Sequence, residues 1–397
     1  MDNQEVNLEQ LTDEQLKLLE KQLSNDAAKF NSMQMAQKIL LNSLYGALGT
    51  NSFRYFDLNL ASSVTTSGQH AIKWIERKLN ELIDAKVGIK KDRIVLIDTD
   101  SVVIDLEDFV NKYCPPQTSR EGKLKFIDKF GSAVLNPYIE ASYAELADYM
   151  NAYEPRLKMK RENIINTMVS VAAKSYVMEV YNSEGVQYTL DDPYMKIMGL
   201  QLVKSSTPQV MRDALRDALP IMLHGTEHDM QDYVKNVREK FNNFTVEQIA
   251  APCGITSLSK YDKKVLLKLV KHTTDQDKRK EILDAVDTDS SFYVKKTPVH
   301  VKGSLIYNHL LSQYGLTQQR RAIGDGDKVK YVYLKSPNPI REECIAFQDS
   351  LPEEFGLHKY VDYNRMFEKT FVSFLKKMID PLKWSTERQA NLLDWFE

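Results

Sequence analysis

The stretch Arg93-Ile-Val-Leu-Ile-Asp-Thr-Asp-Ser-Val-Val-Ile-Asp105 places an acidic tetrapeptide between two short apolar runs. Apolar runs rich in Ile and Val are typical of buried β-strands, and the break at Asp98–Ser101 predicts a tight hairpin turn. Such a turn would present the carboxylates of Asp98 and Asp100 at its tip. Mg²⁺ takes oxygen ligands, usually one or two carboxylates completed by water and substrate phosphates. The stretch therefore predicts a magnesium site suited to phosphate chemistry.

The tetrapeptide Asp-Thr-Asp-Ser recurs at residues 287–290, which serve as an internal comparison. This second copy follows a charged stretch with a helical pattern at 275–286, and no apolar strand precedes it. A short motif has chemical meaning only in its structural context. We therefore interpret the second copy as a loop exposed to solvent.

Length and composition indicate a folded protein with more than one domain. A chain of 397 residues predicts two or three domains, and 43% hydrophobic with 27% charged residues excludes disorder on a large scale. Because the formal net charge is only −2, binding to nucleic acid would depend on local basic clusters. Three scattered cysteines, the lack of a secretion signal and the lack of a membrane-length apolar run predict a cytoplasmic protein that does not associate with membranes.

The first long segment has a helical pattern that begins near Thr12 and reaches about Leu48. Thr12 and Gln15 have the spacing of a capping box, which marks the start of a helix. Three apolar side chains of this helix are expected to point toward the core: Ile39, Leu40 and Leu44.

A second face of the same helix carries Lys38, Asn42 and Tyr45, followed by Gly49. A solvated helix surface is the usual interpretation of such a face. Gly46 and Gly49 favour a functional one, because glycine near a helix end costs stability and permits the close approach of a large group such as a base pair. A second amphipathic helix follows and leads through a glycine into the acidic hairpin.

A further hairpin is predicted after the acidic one. Residues 169–181 have the pattern of a strand, residues 182–185 that of a turn, and residues 186–190 that of a returning strand. Period-two alternation would place Lys174 and Tyr176 on the same strand face. Taken alone, this face has the composition of an ordinary exposed strand.

The C-terminal half has helical patterns at 208–224 and 227–241, and then a lysine-rich region. Its basic residues are Lys260, Lys263, Lys264, Lys268 and Lys271. Both a surface that contacts a phosphate backbone and a solvated helix face have this composition. The last segment, 386–397, ends in two leucines and two aromatic residues, which suit either docking on its own domain or insertion into a groove of a partner.

Taken in order, these segments resemble the family B DNA polymerases, in particular the replicative enzymes of T-even-type bacteriophages. The resemblance runs from about residue 30 to the end. Segments that resemble the fingers helix, the catalytic hairpin of the palm and the primer-gripping motif are, in that order, Lys38–Gly49, Asp98–Ser101 and Ala173–Tyr176. The junction of palm and thumb is matched by Lys196–Leu200 with Lys204–Pro208, a thumb segment by Pro298–Asn308, and the peptide that binds the sliding clamp by Leu392–Glu397.

The resemblance implies an α+β fold in which an antiparallel palm sheet with packed helices is preceded by a long fingers helix and followed by a mainly helical thumb. The implied domains are part of the fingers at 1–50, the C-terminal part of the palm at 51–203, the thumb at 204–385, and a clamp-binding tail at 386–397.

The resemblance also implies residue roles. Asp100 would bind two Mg²⁺ ions, with Asp98 as a supporting carboxylate, and Lys38 would contribute to catalysis by reaching the phosphates of the incoming nucleotide. The implied nucleotide-binding residues are Lys38, Asn42, Tyr45, Gly46 and Thr99. Those implied to bind DNA are Lys174, Tyr176 and Lys204, and those implied to bind the clamp are Leu392, Leu393, Trp395 and Phe396.

Some positions depart from the family pattern. Leu96 and Ile97 stand where the family usually has Tyr and Gly, and Ala173 replaces the first lysine of the primer-gripping motif. Residues 261–293 form a longer segment than the thumb of the phage relative has. The other palm motif, an aspartate strand ending in Ser-Leu-Tyr-Pro, does not occur in the sequence, and neither do the acidic motifs of the exonuclease domain.

These departures imply the C-terminal subunit of a split DNA polymerase, active only with a separate N-terminal chain that carries the exonuclease and the other palm motif. That chain would supply the missing carboxylate of a shared two-Mg²⁺ site. Primer–template DNA, dNTPs and a sliding clamp are the other expected partners, in the host bacterial cytoplasm if the gene is phage-encoded. Met1 and the helix cap at Thr12 favour a natural start over a random truncation, and a degraded gene is the alternative that stays open. The competing hypothesis is a non-catalytic DNA-binding or clamp-tethering protein derived from a polymerase scaffold.

Overall fold

The computed structural model describes residues 11–288 and 290–388, which fall into two compact units divided between Arg161 and Glu162. Helices and small antiparallel sheets occur in both units, which confirms the predicted α+β class. None of the helices within the described ranges has the length and apolar character that a bilayer span requires. The predicted boundaries at 50/51, 203/204 and 385/386 stay predictions, and the predicted clamp-binding residues 392–396 lie outside the described residues.

The first unit combines α-helices with one two-stranded antiparallel sheet. In chain order its elements are α1 (Asp13–Leu48), α2 (Leu58–Val87), β1 (Ile94–Asp98), β2 (Ser101–Ile104), α3 (Glu107–Tyr113), α4 (Arg120–Phe130) and α5 (Asn136–Tyr149), with a π-helical turn at Gly131–Leu135 that makes α4 and α5 continuous.

Helix α1 begins and ends where the sequence predicted. The Thr12 hydroxyl accepts from the backbone N–H of Gln15, and the Gln15 side chain accepts from the backbone N–H of Thr12, which completes the predicted capping box. None of the 36 residues of α1 is buried.

The predicted orientation of three apolar side chains of α1 toward the core is wrong. Ile39, Leu40 and Leu44 are 61%, 72% and 55% exposed. The predicted helix is present, but no other described element covers this part of it. Periodicity identifies an apolar face, whereas burial also requires a partner surface.

Helix α2 carries the core of the first unit. Ile75, Leu79 and Ile83 recur at helical spacing, are almost fully buried, and pack with apolar side chains of α4 and α5 such as Phe130 and Leu146. Gly88 has a left-handed backbone, ends the helix and turns the chain toward β1. The predicted order of helix, strand, turn and strand is therefore confirmed.

The prediction that the strands of the acidic hairpin are buried is wrong. No residue between Ile94 and Ile104 is buried, and Val95 and Ile97 are 56% and 38% exposed. The opposite face packs on the core through Ile94, Val102 and Ile104. A two-stranded sheet has one face on its own helices, and nothing described in this unit covers the other.

The second unit begins with a four-stranded antiparallel sheet and continues with helices around a three-stranded sheet. The strands of the first sheet are β3 (Asn163–Ala172), β4 (Ser175–Ser183), β5 (Val186–Gln187) and β6 (Tyr194–Met198), and those of the second are β7 (Ala251–Gly254), β8 (Lys328–Tyr333) and β9 (Cys344–Phe347). The helices are α6 (Gln209–His224), α7 (Glu227–Phe241), α8 (Val246–Ile249), α9 (Lys263–His272), α10 (Gln276–Val286), α11 (Val299–Gln313), α12 (Tyr363–Phe367) and α13 (Ser373–Ile379).

Helices α6 and α7 match the predicted segments 208–224 and 227–241. They share one hydrophobic core with the second sheet, to which Leu215, Phe241, Ile306 and Phe347 contribute fully buried side chains.

The prediction of one strand across residues 169–181 is wrong. The chain turns at residues 173–174, and β3 pairs antiparallel with β4 so that Ala172 lies opposite Ser175. The second turn, at 182–185, is confirmed and joins β4 to β5. Lys174 therefore lies in a turn and Tyr176 in a strand, and the two do not share a strand face.

Candidate functional site

The acidic tetrapeptide forms a two-residue hairpin loop, as predicted. Asp98 is the last residue of β1 and lies opposite Ser101, the first residue of β2. The backbone N–H of Asp100 and the hydroxyl of Ser101 both donate to the carbonyl oxygen of Asp98, at 2.7 and 3.2 Å. The turn is thus closed by its own backbone and presents Thr99 and Asp100 to solvent.

Thr99 has a left-handed backbone, with φ of +58°. Short hairpin loops need positive φ in the loop to match the twist of their strands, and a β-branched residue adopts it rarely. The Thr99 hydroxyl donates to Asp98 Oδ1 at 3.1 Å, which ties the side chain back onto the turn. A residue held in a costly conformation at a loop tip is a feature of functional turns.

The donor chemistry of this turn fits Mg²⁺. Asp98 and Asp100 offer carboxylate oxygens, and the carbonyl of Asp98 is already occupied by two donors of the turn. Among residues 11–288 and 290–388, no group of three or more His, Cys, Asp or Glu side chains is placed to hold a metal ion. One or two carboxylates are the usual protein share of a Mg²⁺ site. The turn fits a site that further ligands complete.

The second copy of the tetrapeptide has a different environment. Asp287 follows α10 directly and lies 3.8 Å from the ammonium of Lys295, with most of its side chain exposed. The Thr288 hydroxyl donates to the carbonyl oxygen of Tyr293 at 2.9 Å. No strand precedes this loop, as the sequence predicted.

The candidate nucleotide-binding residues of α1 all lie on the helix. Lys38, Asn42 and Tyr45 are exposed, and the spacing of four and three residues places them on one face. A methyl group on Gly46 would meet nothing within 4 Å. Lys38, Asn42 and Tyr45 thus form one set of candidate residues on α1, and Asp98 and Asp100 form another at the hairpin turn.

Lys174 occupies the tip of the β3–β4 hairpin with φ of +59°. Strand β6 pairs with β4, the strand that follows this turn, so that Met198 lies opposite Tyr176. Gly199 follows β6 with φ of +68°, and its α-carbon lies directly against the Lys174 backbone. The turn that carries Lys174 is thus supported by the end of a third strand.

The other two candidate DNA-binding residues differ in exposure. Tyr176 is 6% exposed, so most of its ring is inside the protein. Lys204 is exposed and follows a short 3₁₀ helix, where its carbonyl oxygen accepts from the backbone N–H of Thr207 at 3.1 Å. Thr207 is buried and donates from its hydroxyl to the carbonyl of Gln201 at 3.0 Å, which fixes the loop after Lys204.

Two positions that support these turns were not singled out from the sequence. Arg93 precedes the first apolar run of the acidic hairpin, and its side chain is only 1% exposed. Gly199 lies in the segment 196–200 that resembles the family pattern. The sequence signal that could have identified it is a glycine at the end of a strand, which often marks a close approach of another backbone. A buried arginine has no comparable sequence signal, since arginine is usually exposed.

Comparison with known proteins gives a consistent result. The model of DNA polymerase family B matches residues 12–113, which include α1, α2 and the acidic hairpin. The DNA-directed DNA polymerase of Enterobacteria phage T4 is 31% identical over 97% of this chain and 41% of its own length. That of Escherichia phage RB69 is 31% identical over 92% of this chain and 38% of its own length.

This chain belongs to DNA polymerase family B. A more distant relative, DNA polymerase 1 of Aeropyrum pernix, is 24% identical over 85% of the chain. The family B chain spans about two fifths of the length of its phage relatives, 41% and 38%.

Proposed function

We propose that this family B chain is the C-terminal subunit of a split DNA-directed DNA polymerase. It would contribute the fingers helix, the metal-binding turn of the palm and the thumb to template-directed nucleotidyl transfer. The observation that carries this proposal is the closed turn that presents Asp98 and Asp100 at the tip of a β-hairpin.

The two carboxylates are proposed as the chain's share of a site for two Mg²⁺ ions. When bound, such ions stabilise the attacking hydroxyl and the departing pyrophosphate. Asp100 would be the main ligand and Asp98 the supporting one, while Thr99 would lie beside the nucleotide. The Thr99 hydroxyl orients the Asp98 carboxylate through its 3.1 Å hydrogen bond.

Residues of α1 and of the second unit are proposed to hold the substrates. Lys38 is a flexible cation that would offset charge on the nucleotide phosphates, with Asn42 on the same face. Tyr45 would lie under the new base pair, for which Gly46 leaves space. We propose Lys174, Tyr176 and Lys204 as the primer–template contacts, with Tyr176 supporting the turn from inside.

The proposed activity depends on polypeptide beyond these 397 residues. The turn supplies two carboxylates, and the palm motif with the other metal-binding aspartate does not occur in this sequence. We propose that a separate N-terminal chain supplies that aspartate and the exonuclease. The residues 392–396 would bind a sliding clamp.

Primer extension tests the proposal. The wild-type chain is combined with the candidate N-terminal chain and Mg²⁺, and each chain is also assayed alone. We expect extension only with both chains. Asp100→Ala should reduce the rate at least about 100-fold, because the Mg²⁺ ions that would stabilise the developing charge lose a ligand.

Asp287→Ala is the matched control, since it changes the same tetrapeptide in the second copy and should leave the rate within about twofold. Extension that survives Asp100→Ala would overturn the metal assignment. DNA or clamp binding by the pair without any extension would support the alternative, a non-catalytic tethering protein.

A further inference from the structure

The guanidinium of Arg93 lies inside the first unit, directly before the acidic hairpin. Arg93 is 1% exposed, and it is the only buried residue between Gly88 and Asp108. Every residue of the hairpin itself is half-buried or exposed. A two-stranded hairpin is marginally stable without further support. The single buried side chain at its base is therefore a natural anchor.

Two carboxylates from different helices hold this guanidinium. Arg93 Nη1 donates to Asp84 Oδ1 of α2 at 2.8 Å, and Nη2 donates to Asp108 Oδ2 of α3 at 3.3 Å. The same nitrogens donate to the carbonyl oxygens of Lys91 and Ile89 at 3.1 and 3.3 Å. A planar fork with several donors can make all four contacts at once, whereas an ammonium group donates from a single nitrogen.

The backbone of Arg93 is fixed as firmly as its side chain. Its N–H donates to the side-chain oxygen of Asn80 on α2 at 2.9 Å. Its carbonyl oxygen accepts from the N–H of Asp105 at 2.8 Å, so the residue before β1 is joined to the residue after β2. Asn80 also donates to Asp92 Oδ1 at 3.0 Å, and this bond with that from the Ile94 N–H lowers the pKa of Asp92.

We propose that Arg93 is a positioning residue for the metal-binding turn, which it holds by fixing both ends of the β1–β2 hairpin to α2 and α3 through Asp84 and Asp108. Arg93 is separated from Asp98 by about 17 Å of extended chain, so it acts on the carboxylates through the strands and not by contact. The part of this inference that concerns metal binding rests on the proposed function.

A buried guanidinium fits this role because it cannot be left unpaired at low cost. The side chains of Asp84 and Asp108 are 21% and 37% exposed, so Arg93 is the desolvated member of both pairs and depends on both carboxylates. The hairpin base therefore has one preferred position relative to both helices. Contacts made directly to metal ligands typically change metal affinity about 10- to 100-fold when they are lost, and a more remote contact such as that of Arg93 should have an effect no larger than the lower end of this range.

The first experiment measures amide hydrogen exchange on the chain alone, with no metal and no partner. Arg93→Met keeps the length of the side chain and removes both ion pairs, while Arg93→Lys keeps the charge. We expect faster exchange in residues 94–104 for both variants, with the larger effect for Arg93→Met. Exchange in α5, which packs in the core of the same unit, should stay unchanged and shows that the variant is folded.

Lys91→Met is the matched control. Lys91 forms ion pairs with Asp105 and Asp108 at 3.3 and 3.5 Å, but its side chain is 48% exposed. Exposed ion pairs contribute little to stability. Lys91→Met should therefore leave exchange in the hairpin within about twofold of wild type.

The second experiment measures the Mg²⁺ concentration for half-maximal primer extension by the reconstituted pair. For Arg93→Lys we expect that concentration to rise about tenfold while the KM for primer–template changes little. A purely structural role would instead lower the amount of active enzyme without a shift in Mg²⁺ dependence, and this outcome would overturn the proposal.

The two readouts separate this inference from the proposed function. If the wild-type pair does not extend a primer, the proposed function fails, yet exchange on the chain alone still decides whether Arg93 holds the hairpin. If residues 94–104 of Arg93→Met exchange at the wild-type rate, Arg93 does not position the turn, whatever the activity.

Discussion

Gly199 and Lys174 are in direct backbone contact. A methyl group placed on Gly199 would lie 2.1 Å from the carbonyl oxygen of Lys174 and 2.6 Å from the hydroxyl of Ser175. Both residues have a left-handed backbone, with φ of +68° and +59°. The end of β6 therefore sets the position of the turn that carries a proposed DNA-binding lysine.

Gly199→Ala should displace the Lys174 turn. The alanine would pay about 1–2 kcal/mol for its left-handed backbone and a further cost for the clash. We expect a lower midpoint of thermal unfolding and a dissociation constant for primer–template at least about fivefold higher, which corresponds to roughly 1 kcal/mol of binding.

Gly356→Ala is the control for this effect, because Gly356 has a similar φ of +63° and open space around it. It should show the backbone cost alone and no change in DNA affinity. Equal DNA affinity of Gly199→Ala and wild type would show that the close contact does not govern the proposed DNA site.

Lys38→Ala should lower kcat/KM for the incoming nucleotide in the reconstituted pair. A hydrogen bond between charged groups contributes about 1.5–3 kcal/mol, so a loss of roughly 10- to 150-fold is expected. Steady-state extension with varied dNTP concentration measures it. Lys29→Ala is the matched control, since Lys29 is exposed on the same helix nine residues earlier and therefore on the opposite face. Similar losses in both variants would contradict a specific role for Lys38.

The pH dependence of stability should change in Glu343→Gln. The hydrogen bond from Lys302, at 2.8 Å, and that from Arg365, at 3.1 Å, lower the pKa of Glu343 below its ordinary value of about 4.3. Because the folded protein then releases this proton more readily than the unfolded chain, the contribution is complete above the unfolded pKa and disappears as the pH falls through the folded pKa.

Urea unfolding of the wild type and of Glu343→Gln between pH 3 and pH 7 measures this contribution. The difference in free energy of unfolding should be at most about 1 kcal/mol at pH 7, since the side chain is partly exposed, and should shrink below about pH 4. A difference that stays constant across this range would show that the ion pairs are not its source.

Deletion of Leu392–Glu397 should leave synthesis on a short template unchanged and abolish the increase in product length that a sliding clamp provides. Ser385 and Arg388 are held on α7, where the Ser385 N–H donates to Glu227 at 2.6 Å and Arg388 pairs with Asp232 at 2.8 Å. The deletion leaves both of these residues in the chain. Product lengths with and without clamp measure the effect, and clamp-dependent lengths that persist in the deletion variant would favour docking of the tail on its own domain.

The acidic hairpin was predictable because its signals are local. Two short apolar runs define the strands, and Asp98–Ser101 has turn residues at the required position. The turn at Lys174 was missed because Ala173 and Lys174 are not turn residues, and the left-handed backbone there accompanies pairing with β6 and contact with Gly199. Contacts between distant segments override local preference, and a single sequence does not reveal them.

The orientation of the α1 side chains was not predictable for a related reason. A sequence pattern identifies which residues of a helix are apolar, but not whether another surface is available to them. Ile39 and Leu40 have the pattern of core residues and are exposed in this unit. Arg93 shows the opposite case, in which a residue type that is usually exposed is buried because two carboxylates converge on it.

If α1 holds the nucleotide as proposed, its exposed state would affect when the chain can bind nucleotide. With 36 residues and none buried, the helix depends mainly on intrinsic propensity and its cap. Covering the apolar side chains beside Lys38 and Tyr45 would stabilise the helical spacing of these two residues. The free chain would then bind nucleotide only weakly, and assembly with the partner chain would be required for nucleotide binding.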